Sequence, residues 1–114
     1  MLVVFLNRWP ELDGIPASTD VPAARPERFV TVERVGGAET PFLDKPLMAV
    51  QCWAATRMQA SNLAQTVKHA LERAWLLPQV AAVRIESTVN HPLGESTPRY
   101  QITVELTVHK QSDL

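Results

Sequence analysis

The sequence predicts an α+β domain in which an antiparallel four-stranded sheet carries two helices on one face, in the order α-β-β-α-β-β. Three patterns lead there. Apolar and polar residues alternate in RFVTVERVGG (28–37), PLMAVQCWAA (46–55), VAAVRIESTV (80–89) and RYQITVELTVHK (99–110), the two-residue period of half-buried strands. Ala60, Leu63, Ala64, Val67, Leu71, Ala74 and Trp75 recur at the 3.6-residue period of an amphipathic helix. Connections without a helical pattern join the strands within each pair, so each pair reads as a hairpin and the sheet as antiparallel.

The elements follow in order. Leu2, Phe5, Leu6 and Trp9 have helical spacing, and Pro10 stops that helix; LVVF also fits a strand. Residues 10–27 hold Pro10, Pro16, Pro22, Pro26 and Gly14, an extended connection that adds a short fifth edge strand around Ile15 to Val21. In the first long strand Phe29, Thr31, Glu33 and Val35 share one face, with Arg28, Val30, Val32 and Arg34 on the other. Gly36-Gly37 then reads as the start of a long hairpin loop, GGAETPFLDK (36–45), since glycine tolerates positive φ. In the next strand Met48, Val50, Cys52 and Ala54 oppose Leu47, Ala49, Gln51 and Trp53.

Thr56 and Gln59 have capping-box spacing. They open a helix expected to run about 19 residues, ~28 Å, to the stop at Pro78, with Trp75 on its core stripe. The third strand sets Val83, Ile85, Ser87 and Val89 against Arg84, Glu86 and Thr88; the fourth sets Tyr100, Ile102, Val104, Leu106 and Val108 inward. NHPLGESTP (90–98) joins them as a second polar loop. The expected organisation is one domain over 1–114: an N-terminal helix (1–9), a Pro-rich connection (10–27) and an α+β core (28–110).

A chain of 114 residues suits one domain, and one of this size buries roughly 60–70% of the surface its unfolded form exposes. Oligomerisation is a common supplement to so thin a margin. With 11 basic and 12 acidic side chains the net charge is −1, unlike the basic footprint of a nucleic-acid binder. The single cysteine permits no internal disulfide and fits a reducing compartment. The N-terminal apolar run covers only about six residues, against the ~20 that span a bilayer, and has no secretory flanks. A chain that is soluble and intracellular when made is expected.

A search for chemistry returns no catalytic set. His69, His91 and His109 fall on a helix, a loop and a strand end without ligand spacing. Cys52 lies in an apolar strand, with no sign of the electropositive, partly exposed setting a nucleophile needs. Gly36-Gly37 is no phosphate cradle, because no helix opens after it. Glu39 and Asp44 lack a nearby base or ligand partner and read as solvated loop charge. Trp9, Trp53 and Trp75 read as core rather than as a stacking platform. Arg28, Arg34 and Arg84 interleave with Glu33, Glu86 and Glu105, which reads as cross-strand ion pairing.

The composite pattern carries more than its parts. RFVTVERVGG, then DKPLMAVQCWA (44–54), then TRMQASNLAQTVKHAL (56–71), then PRYQITVELTV (98–108) resembles the small tail terminator proteins of actinobacterial siphophages and prophages, also called tail completion or head–tail joining proteins. The likeness runs over most of residues 26 to 109. NHPLGESTP departs from it by lacking an aromatic start. The resemblance implies an α+β virion structural protein that assembles as a six-membered ring, caps the tail tube and joins tail to head. It implies no enzymatic activity, no cofactor and no metal. The partners it implies are further copies of the chain, the tail tube protein and the head–tail connector proteins, without direct nucleic-acid or membrane binding. The place of action is the virion tail, and the host bacterial cytoplasm during assembly.

On this reading the two loops, 36–46 and 90–98, lie at one end of the sheet and make the assembly contacts. The candidates are Gly36, Gly37, Phe42, Leu43 and Asp44 in the first and Leu93 in the second, with the glycine pair lending the first loop mobility before assembly. The rival reading is a small ligand-binding or regulatory domain of ferredoxin-like layout, which binds a metabolite on its sheet face or at an oligomer interface.

Overall fold

A computed structural model describes residues 1–94 and 96–110. The elements are helix α1 (Leu2–Asn7), strands β1 (Ala17–Ser18), β2 (Phe29–Glu39) and β3 (Leu43–Trp53), helix α2 (Arg57–Leu71), and strands β4 (Val80–Asn90) and β5 (Arg99–His109). Short 3-10 turns occupy Pro10–Leu12 and Ala74–Leu76. The five strands form one sheet in the order β1-β2-β3-β5-β4. The α+β class is as expected, but the sheet is mixed rather than antiparallel, because β1 pairs parallel with β2 through Ala17–Val30 and Ser18–Thr31. The four long strands are antiparallel to their neighbours. Both β3 and β4 run opposite to β5, so β3–α2–β4 is a parallel crossover with β5 inserted between its strands.

One face of the sheet carries the core. Val30 and Val32 of β2, Val50 and Cys52 of β3, and Ile102, Val104 and Leu106 of β5 are buried there. They pack against Leu2 and Leu6 of α1 and against Leu63, Ala64, Val67, Ala70 and Leu71 of α2. Each fully buried leucine, isoleucine or valine contributes about 1.5–3 kcal/mol. The Thr56 hydroxyl accepts from the Gln59 N–H at 3.1 Å, which opens α2 as the capping spacing predicts. The reciprocal half of the box is absent, and the Gln59 Oε1 is buried without a partner.

The helix is shorter than its periodicity predicts. It ends at Leu71, and the following 3-10 turn buries Ala74 while leaving Trp75 54% exposed. The tighter turn advances 120° per residue instead of 100°, so the apolar stripe no longer carries Trp75 inward. A similar loss of phase occurs in β4. A register shift between Ile85 and Ser87 pairs Ser87 with Thr103 and Thr88 with Ile102. The extra residue reverses the alternation, so Thr88 turns to the core side and Val89 to the opposite face, where it is 45% exposed.

The glycine pair is not the start of a loop. Both glycines lie inside β2, paired with Leu47 and Pro46 beyond a register shift between Arg34 and Gly36. The strands continue to Glu39 and Leu43, leaving a turn of only Thr40 to Phe42. Leu43 and Asp44 are strand residues. Gly37 has φ +115°, and a Cβ there would stand 2.0 Å from the Lys45 carbonyl oxygen. Gly36 has open space around it. The pair therefore serves a close backbone approach at one position, not loop mobility.

At the other edge of β2, Asn7 acts as a side-chain strand. Its Nδ2 donates to the Ala17 carbonyl at 2.9 Å, and its Oδ1 accepts from the Ala17 N–H at 2.8 Å. This closes the edge of β1 and ties the N-terminal helix to the sheet.

Gly37→Ala should destabilise the chain by about 2–3 kcal/mol through backbone strain, whereas Gly36→Ala should stay within about 0.5 kcal/mol of the parent. Urea unfolding of the two variants checks this, and equal losses would contradict the assignment.

Candidate assembly surfaces

The candidate residues fall on two hairpins that turn at opposite ends of the sheet, not at one end: Phe42 lies in the first turn and Leu93 in the second, while Gly36, Gly37, Leu43 and Asp44 lie in β2 and β3. β3 runs from the Thr40–Phe42 turn to Trp53, and Trp53 pairs with Arg99, where the second turn returns. The two hairpins therefore point in opposite directions along a molecule 49 Å long.

At the first end, the turn is held by hydrogen bonds. The Thr40 N–H donates to the Leu43 carbonyl at 2.8 Å, and the Leu43 N–H donates to the Thr40 hydroxyl at 3.0 Å. Lys110 donates its N–H to the Phe42 carbonyl at 3.0 Å and pairs its Nζ with Glu39 at 3.1 Å. The Phe42 side chain is nevertheless 79% exposed, an apolar residue presented on an ordered support. Behind it, Arg34 grips Asp44 with two bonds of 2.8 and 2.9 Å and donates Nε to the Gly36 carbonyl at 3.0 Å. Asp44 thus fixes the hairpin instead of standing free. The hydrogen bond from Arg34 holds its carboxyl below the usual carboxylate range, helped by the Arg34 and Lys110 charges and opposed by desolvation.

At the second end, the β4–β5 hairpin extends past its strands. His91 donates to the Arg99 carbonyl at 2.8 Å and Leu93 to the Thr97 carbonyl at 3.0 Å, with Gly94 at φ +67° in the turn. Leu93 is exposed there.

Between the two ends lies the sheet face that no helix covers. Phe29 stacks on Trp53 with ring centroids 5.2 Å apart, and the Arg99 guanidinium lies 4.9 Å from the same indole. Arg25, from the Pro-rich connection, lies 5.6 Å from it. Arg99 is only 9% exposed; it donates Nε to the His91 carbonyl at 2.9 Å, and burial lowers its pKa. A polar ladder crosses the neighbouring strands. Trp53 Nε1 donates to the Thr31 hydroxyl at 3.1 Å, Thr31 to the Gln51 Oε1 at 3.2 Å, and Gln51 Nε2 to the Gln101 Oε1 at 3.2 Å. These are neutral amides and hydroxyls that hydrogen-bond one another across the strands.

The sequence places Trp53 and Gln51 on one strand face. It does not reveal that Phe29, Arg25 and Arg99 converge on the tryptophan, because that needs the register of three strands. Trp53 is buried as expected and Trp9 partly so, while Trp75 is not. Cys52 is fully buried, and burial pushes its thiol far above the usual range. Of the ion pairs expected on the strands, Arg84 reaches Glu86 and Glu105. Among the described residues no group of three or more His, Cys, Asp or Glu could hold a metal, and no helix is long and apolar enough to cross a membrane.

A second surface was missed by the sequence reading. Met1, Val4, Phe5, Arg8, Trp9, Leu77 and Gln79 line a groove of about 410 Å³ beside α1. Phe5 and Trp9 meet there with centroids 5.4 Å apart. Helical spacing marks both as inward-facing, but α1 is too short to bury them fully.

Arg99→Met should cost about 1–2 kcal/mol through the lost charge–indole contact and the freed His91 carbonyl. Arg99→Lys should recover little of it, because an ammonium lacks the planar fork. Urea unfolding reads both. Asp44 has a folded pKa below its unfolded value, so its contribution is fully present above about pH 4 and is lost as pH falls through the folded pKa. The stability gap between the parent and Asp44→Asn should hold constant from pH 7 to 5 and shrink towards pH 2. A gap independent of pH would sink the pairing argument.

Comparison with protein-family models gives no match, and comparison with curated proteins gives none either.

Proposed function

We propose that this chain is a phage or prophage virion structural protein of the tail terminator type. In this reading it forms a six-membered ring that caps the tail tube and meets the head connector, and it performs no catalytic step. The reading rests first on the strand, helix and strand pattern over residues 26 to 109 that resembles that family. The observation that carries it furthest is Phe42, an apolar side chain 79% exposed on a turn fixed by four contacts. Phe42 is the most exposed large apolar side chain among the described residues, and its fixed turn holds it ready for contact with a neighbouring surface. The uncovered polar sheet face supplies a second broad surface, and both fit a protein whose work is contact with neighbours. The work is assigned to the virion tail, after assembly in the host bacterial cytoplasm.

The groove beside α1 favours a second reading, a small ligand-binding or regulatory domain. Its volume suits a small molecule, and its lining is largely apolar with Arg8 and Gln79 at hand.

Light scattering over a wide concentration range, with negative-stain images of the largest species, separates the two. The expected result is a ring with six-fold symmetry, which Phe42→Ser weakens at least several-fold in assembly midpoint without lowering the unfolding midpoint. A small closed oligomer without a ring, together with a thermal shift from a small molecule abolished by Trp9→Ala, would replace the first reading with the second.

A further inference from the structure

The two edges of the sheet differ in how they are closed. Asn7 seals β1, and β1 in turn covers β2 only as far as Thr31. Beyond it, Arg34 hydrogen-bonds the Gly36 carbonyl next to the register shift at Arg34/Gly36. The stretch of β2 left open between β1 and that shift is Val32 to Arg34. On the far side β4 is an edge strand of 11 residues. Its register shifts, at Val80/Ala82 and Ile85/Ser87, divide it into two regular stretches, Ala82 to Ile85 and Ser87 to Asn90, and only the first carries a charged side chain, Arg84. Each edge is thus broken into short windows, among them Val32–Arg34 on β2 and Ala82–Ile85 on β4.

The backbone polarity of the two windows matches. Val30 donates its N–H outward to the Pro16 carbonyl at 2.9 Å, so by the two-residue period Val32 and Arg34 also turn their N–H and C=O outward. In β5, His109 donates to the Gln79 carbonyl and the Arg99 carbonyl accepts from His91. The odd-numbered residues of β5 therefore bond towards β4, and they face Ala82 and Arg84. Val83 and Ile85 are left pointing outward. In both windows the outward groups belong to residues on the core face, which is the condition for antiparallel pairing that continues the sheet with its faces aligned.

Charge agrees with one register. Glu33 lies in the middle of its window on the uncovered face, with no cationic partner among the described residues. Arg84 lies in the other window on the same face, its side chain 68% exposed. Its contacts to Glu86 and Glu105 both use Nη2, leaving Nε and Nη1 for another acceptor.

We infer that β4 of one copy pairs antiparallel with β2 of the next, with Arg84 opposite Glu33, Val83 opposite Arg34 and Ile85 opposite Val32. The occupant of each edge is a second copy of this chain. The contact is head-to-tail, the kind that closes a ring by rotation, and the inference rests on the ring reading above. The bulge at Ile85/Ser87 falls where the neighbour's β1 would otherwise obstruct β4, and it bends the strand at that point.

The test is oxidative cross-linking of the full chain. Glu33→Cys and Arg84→Cys sit at exposed positions, and the native Cys52 is buried and inert. The doubly substituted chain should give a ladder of covalent multimers ending at the closed species, while each single variant stays monomeric. Absence of a ladder at high concentration, or a dimer from either single variant, overturns the edge pairing. A six-fold ring in images without a ladder removes this contact and leaves the tail terminator reading standing. A ladder closing at another number keeps the contact and removes the six-membered ring.

Discussion

The packing of α2 on β3 and β5 is the constraint from which the rest of the molecule follows. Ala60, Ala64, Ala70 and Ala74 carry almost no side chain, so the helix backbone and the turn after it can approach the sheet closely. Leu63, Val67 and Leu71 then fill the space over Val50, Ile102, Val104 and Leu106. That contact fixes which face of every strand is inner. α1 adds Leu2 and Leu6 beside it, and Asn7 ties it down through Ala17. With both helices on one side, the other face has to be stable against water by itself. It is so through the Phe29–Trp53–Arg99 cluster and the ladder from Thr31 to Gln101.

Backbone irregularities then decide what the surface offers. A bulge in β2 shares its site with Gly37, whose missing Cβ lets the Lys45 carbonyl approach. Two more in β4 break an otherwise long open edge into short stretches. Edge strands left long and regular invite unspecific pairing. Here the open segments are short, sit on opposite edges and have matched polarity. The rigid Phe42 turn belongs to the same economy, with the turn held by backbone and ion-pair contacts so that the side chain is free to meet something else.

Much of this was legible in the sequence because it is local. The alternation in β2, β3 and β5, the 3.6-residue stripe of α2, the Thr56 cap and the helical spacing of Leu2 and Leu6 depend on neighbours a few residues away, and they came out as read. The failures share a cause. Trp75 continues the helical period on paper, yet a switch to a 3-10 turn at Ala74 takes it out of phase. Val89 continues the strand alternation, yet one bulge reverses its side. Periodicity carries no mark of the residue at which the period breaks.

The sequence by itself determined the α+β class, which residues of β2, β3 and β5 share a face, the inward set of β5 and the position of the long helix α2, since a repeating pattern of apolar side chains is enough to say what lies side by side. Only the tertiary structure decided that β1 joins in parallel, that the glycine pair sits within a strand, that the two hairpin turns lie at opposite ends and that Arg25, Arg99 and Phe29 gather on Trp53. Each of these is a matter of register between segments distant in the chain. Register is set by hydrogen bonds and packing summed over a whole sheet, so no single stretch of sequence contains it.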